Sequence, residues 1–179
     1  MAPAERKPMS NSQTILVVDG AVERPLRLSF EDLLGLSVAE QVADVSQFHP
    51  KRKGDGVTFQ ALLALARPLA DSNYVTLHAD RDDFHVSVPL DPLRTEGIVV
   101  YKLAGLPLGA ENHGPIRFLV KDPAVCHTGE LDDCANVKYL NRIEFTIQKG
   151  RDTRPTNDAE HEALHQREQE AKDHGSQQW

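Results

Sequence analysis

The sequence predicts an α+β fold of mixed and antiparallel sheets with few, short helices. Three observations carry that reading. Tyr74–His78 and Phe84–Val88 alternate apolar and polar residues with period two, as half-buried strands do. Further runs of strand length are rich in β-branched residues, beginning with Thr14–Asp19. Before the charged C-terminal stretch, helical patterns are short, after Ser29 and from Phe59 to Ala66.

Taken in order, residues 1–13 are polar and carry Pro3 and Pro8, and they read as a disordered N-terminus. Thr14–Asp19 is the first strand, closed by Gly20, and Arg24-Pro25 signals a turn. Leu26–Leu28 alternates as a second, short strand. Ser29 is a good N-cap, and Asp32 three residues on completes a capping-box-like start for a helix through Leu34. Val38–Val45 predicts a strand. His49–Gly56 holds a proline, two glycines and four charges and reads as an exposed loop.

Phe59–Ala66 carries Leu and Ala on all sides and stops before Pro68, which predicts a buried helix. Tyr74–His78 and Phe84–Val88 then form an antiparallel pair across the acidic turn Asp80–Asp83. Ile98–Leu103, Ile116–Val120 and Val137 to Ile147 supply the remaining strands. One domain over residues 14–150 follows. Residues 151–179, with seven acidic residues against four Lys and Arg, read as a charged tail compatible with a helix from Asp158 to Lys172.

The 179 residues are 40% hydrophobic, enough to bury a real core. A net charge of −7 argues against a sequence-independent nucleic-acid binder, which needs a basic face. The local basic run Lys51-Arg52-Lys53 reads as a solvated turn. Met1–Ser10 contains no apolar stretch of the secretory kind, and no run approaches the roughly 18 apolar residues that span a bilayer. The expectation is a soluble, cytoplasmic protein with neither nucleic acid nor membrane as partner.

Three stretches carry a family likeness. The first is Val17–Pro25 with Leu28–Leu33. The second is Tyr74–Asp80, followed by Val86–Leu90 and by Val100–Leu108. The third is His113-Gly114-Pro115-Ile116-Arg117-Phe118-Leu119-Val120, followed by Val137-Lys138-Tyr139-Leu140-Asn141-Arg142-Ile143. In this order and spacing the chain resembles the molybdopterin-binding domain of the sulfite oxidase family, from about Thr14 to Gln148. The resemblance implies that family's fold and a molybdopterin cofactor. The length matches only its single-domain branch, without the immunoglobulin-like second domain.

The likeness also assigns residues. His113, Arg117 and Lys138 match the closing motif that contributes side chains to the pterin groove, where an anionic phosphate needs donors such as a planar guanidinium. Members place a molybdenum-ligating cysteine about a dozen residues before the segment that here reads Gly56-Val57-Thr58-Phe59. This chain has Asp44-Val45-Ser46 there, and its two cysteines are Cys126 and Cys134. Asp44 or Ser46 could replace a thiolate only as a hard oxygen ligand. The resemblance therefore implies an oxidoreductase-like domain with an altered cofactor site, either non-catalytic or using a non-cysteine metal ligand.

Two other constellations stay open. Cys126, His127 and Cys134 offer three zinc ligands within nine residues, or a thiol-redox pair, without the two close pairs of a strong zinc signature. His161-Glu162-Ala163-Leu164-His165 fits a zinc-peptidase pattern in a hydrophilic context that suits only adventitious metal. His49, His78 and His85 show no partner at useful spacing. A structural or partner-binding module is the remaining alternative.

Overall fold

The structure, a computed structural model, describes residues 13–121 and 136–153. In chain order its first elements are β1 (Thr14–Gly20), β2 (Leu26–Ser29), α1 (Phe30–Leu34), β3 (Gln41–Val42) and β4 (Asp55–Thr58). Next come α2 (Phe59–Ala66), β5 (Tyr74–Ala79), β6 (Phe84–Pro89), α3 (Leu90–Glu96) and β7 (Gly97–Leu103). The last are β8 (Leu106–Pro107), β9 (Arg117–Val120) and β10 (Arg142–Thr146).

The first sheet runs β2-β1-β10-β5-β6; β1 pairs in parallel with β10 and every other pair is antiparallel. The second is antiparallel, with β3, β4, β7 and β8 in order and β9 beside β7. Mixed and antiparallel sheets with short helices are what the sequence predicts.

One apolar core serves both sheets. Phe59, at the start of α2, stacks on Phe145 of β10 at 6.1 Å and meets Phe118 of β9 edge-on at 5.4 Å. That single ring joins the two sheets, and truncating such a residue costs about 3–5 kcal/mol. Alternation decides which residues reach the core. Val75, Leu77 and Ala79 of β5 and Val86 and Val88 of β6 face inward, all fully buried. A second cluster of Val45, Ile98, Val100, Leu108 and Leu119 lies apart from it, with Phe48 and Leu103 against it.

Local signals resolve as read at α1: Ser29 Oγ accepts from Asp32 N at 3.1 Å, and Asp32 Oδ2 accepts from Ser29 N at 2.9 Å. Thr58 caps α2, which ends on a left-handed Arg67 before Pro68. The strand expected over Val38–Val45 is a correction. Only Gln41 and Val42 pair, between two 3-10 turns, and left-handed Asp44 breaks the run. β4 also begins at Asp55, inside the expected loop, because Gly54, at a φ of 132°, lets the chain turn against the Lys102 carbonyl.

The outward face of the first sheet is polar yet buried. Thr76 and Ser87 are fully covered, and His78 and His85 are 7% and 3% exposed. The chain after β10 covers this strip. Gly150 N donates to Ser87 Oγ at 2.8 Å, and Thr153 Oγ1 accepts from His85 N at 2.9 Å. Residues 151–153, read as the start of the tail, are thus tied to β6.

Candidate functional site

β9 begins where the second sheet meets an open pocket of about 450 Å3. Arg117 opens that strand opposite Val100 of β7 and is 7% exposed. Its Nε is buried and has no hydrogen-bond partner among the described residues. Burial, and then the neighbouring positive charge of Arg52, hold this guanidinium below its ordinary range. A buried donor without an acceptor is costly, and an oxygen acceptor in the pocket would satisfy it.

Two loops bring further cations to it. The first is the basic run: Lys51, Arg52 and Lys53 line the same pocket. The run is held there by contacts its own sequence does not announce. His49 Nε2 lies 2.7 Å from the Val120 carbonyl at the end of β9, and Val45 and Phe48 sit in the second apolar cluster. Arg52 N donates to His49 O at 2.8 Å, tightening the turn. Lys51 and Lys53 are exposed, as a solvated turn requires, and the turn stands at the rim of the pocket.

The second loop follows β8. His113 is left-handed, with a φ of 64°, after the short turn Ala110–Asn112. Its ring meets Tyr139 edge-on at 5.6 Å, and its carbonyl accepts from Tyr139 N at 2.9 Å. Lys138 stands beside it because Val137 bridges to Phe118 and Leu140 N donates to Ile116 O at 2.8 Å. These bonds lay residues 137–140 along β9. Glu111 is the one carboxylate among the described lining residues, with Asn112 and Leu103 beside it.

The structure therefore brings together His113, Arg117 and Lys138, which the sequence singles out, and adds the basic run. Asp44 and Ser46 are not among the pocket's lining residues. Asp44 accepts from Ser46 N at 3.1 Å and from the Ser46 hydroxyl, which hold its carboxyl below the usual range, and its own N donates to Asp55 at 2.8 Å. Cys126, His127 and Cys134, like the His161–His165 pattern, lie outside the described residues. Among the described residues no helix is long and apolar enough to cross a membrane.

The two-sheet fold sets five cationic side chains, Lys51, Arg52, Lys53, Arg117 and Lys138, around one open pocket. The family model for the oxidoreductase molybdopterin-binding domain matches residues 5–153, and the chain belongs to that family. Among solved structures it is similar to the sulfane dehydrogenase SoxCD from Paracoccus pantotrophus, with a TM-score of 0.54 and 20% identity. That similarity covers 75% of this chain and 38% of the SoxCD chain, and it shows the fold. No curated protein matches the chain by sequence.

Proposed function

We propose that this chain is a molybdopterin-binding domain that holds the cofactor by its anionic, phosphate-bearing end and does not run thiolate-ligated metal chemistry. The observation that carries the reading is Arg117, buried, short of a partner at Nε, and set among Lys51, Arg52, Lys53 and Lys138. The residues fit the group: a phosphate offers the acceptor that Nε lacks, and a planar guanidinium can bind it through two parallel bonds. Low local dielectric strengthens that bond, while the lysines add charge without fixed direction.

When bound, the cofactor would supply a metal capable of two-electron or oxygen-atom transfer. This chain's own part is to hold and orient. Arg117 fixes the phosphate at the edge of the second sheet, and His113, braced by Tyr139, limits its movement. The loop where the family places its thiolate carries Asp44-Val45-Ser46 instead, with Asp44 already engaged by Ser46. We therefore read the domain as a cofactor-binding module rather than a working oxidoreductase.

The test uses the full chain from a host that makes the cofactor. Oxidised-pterin fluorescence of a denatured extract and elemental analysis by mass spectrometry are compared for wild type and Arg117→Gln. Pterin in the wild type, lost in the variant, with molybdenum well below pterin, is expected. Wild-type protein without pterin overturns the binding reading. Stoichiometric molybdenum with pterin overturns the non-catalytic one and makes Asp44 and Ser46 the next positions to mutate.

A further inference from the structure

His78 and His85 are cross-strand partners in the β5–β6 hairpin, both buried on the polar outer face of the first sheet. Each has its Nε2 against a carboxylate: His78 on Glu144 Oε1 and His85 on Asp83 Oδ1, both at 3.0 Å. An ionised carboxylate only accepts, so each Nε2 carries the hydrogen. A neutral imidazole then has a lone pair at Nδ1. These two Nδ1 atoms face each other 2.7 Å apart. Two lone pairs at that distance, shielded from water, repel unless a positive centre lies between them.

The surroundings favour a metal ion as that centre. Ligand atoms of His78, His85 and Asp80 all lie within 4.8 Å of one another. Asp80 is exposed at the head of the turn, and Asn141 holds it at both ends: Asn141 Nδ2 donates to its Oδ2 at 2.8 Å, and its own N donates to Asn141 Oδ1 at 3.0 Å. It therefore presents a carboxylate at the solvent side, where an ion would enter. Histidine ligands characteristically donate their other N–H to a carboxylate, which fixes tautomer and ring orientation. Here Glu144 and Asp83 stand in that role, themselves held by Arg142 at 3.3 Å and Arg151 at 3.0 Å.

We propose that His78, His85 and Asp80 form a binding site for one divalent transition cation of the zinc class, with an open fourth position. Two imidazoles and one carboxylate suit such borderline ions. On a tetrahedral zinc with bonds of about 2.0–2.1 Å, the nitrogens would stand about 3.4 Å apart. From 2.7 Å, the two nitrogens therefore part by about 0.7 Å as the ion enters. None of the three residues lines the basic pocket, so the site is independent of the cofactor reading.

The experiment titrates zinc into the metal-stripped full chain carrying Cys126→Ser, His127→Ala, Cys134→Ser, His161→Ala and His165→Ala, which removes the other ligands singled out in the sequence. Cobalt serves as the coloured probe of coordination. One equivalent of zinc is expected, with tetrahedral visible bands from cobalt. Glu144→Ala should weaken binding about 10–100-fold. Asp80→Asn should weaken it and change the cobalt spectrum. Because His85→Ala removes a buried group, its folding is checked by circular dichroism, and Asp80→Asn, an exposed change, carries the test if it unfolds. No stoichiometric zinc, or zinc bound equally well by Asp80→Asn and Glu144→Ala, overturns the proposal and leaves the histidines bridged by a proton alone.

Discussion

The two polar clusters of this domain fail to balance in opposite ways. Around Arg117 the described lining of the pocket holds three lysines and two arginines with Glu111, and the buried Arg117 Nε has no acceptor among the described residues. Around His78 and His85 every outer contact is made, to Glu144 and Asp83, yet two acceptors are turned on each other. The first arrangement suits an anion and the second, as proposed above, a cation. Neither shortage is visible in the net charge. A ligand's sign can thus be read from what a buried group still needs once its protein contacts are counted.

The comparison is sharpened by ligands that should not cross over. Pyrophosphate should stabilise the wild-type chain, and Arg117→Gln should weaken its binding by about 1.5–3 kcal/mol, roughly ten- to a hundredfold, by calorimetry. Asp80→Asn should leave that binding unchanged. Equal loss in both variants would join the two clusters into one site.

Next in size is Gly150→Ala. A Cβ there would lie closer than 3.0 Å to Thr76 Oγ1, so the covering segment must lift, at about 1–3 kcal/mol in denaturant unfolding. Faster hydrogen exchange at the His85 and Ser87 amides should accompany it, because both bond to that segment. Tyr101→Phe probes a third buried group that is already satisfied, its hydroxyl donating to Gln41 Oε1 at 2.7 Å. Its loss should cost about 0.5–1.5 kcal/mol and leave both ligands bound as before. The smallest effect is Arg117→Met, which removes a desolvated, unpaired donor and should raise the stability of the ligand-free chain by up to about 1 kcal/mol.

Much of the fold was legible where a local signal dominates. The Ser29–Asp32 box, the Phe59–Ala66 helix and the hairpin of Tyr74–His78 with Phe84–Val88 follow from capping chemistry and period. Helix α3 was not, because Pro89 precedes it without a side-chain cap and Pro92 sits in its first turn. In the site, His113, Arg117 and Lys138 were found through the family likeness. The place of the basic run beside the pocket had no local signal, because it depends on the His49–Val120 bond, 71 residues apart in sequence. The histidine pair had a usable signal. Once the hairpin is drawn across its acidic turn, His78 falls opposite His85, and searching by sequence spacing hides what strand register shows.

The segment from Lys149 to Thr153 has one more consequence. It shields Thr76, Ser87 and the two histidines by hydrogen bonds rather than by apolar contact. A chain cut at Gln148 keeps the ten described strands and the described core residues, but it would flood this side of the sheet with water. Among the described residues, this side of the sheet is therefore kept dry by the few residues that follow β10.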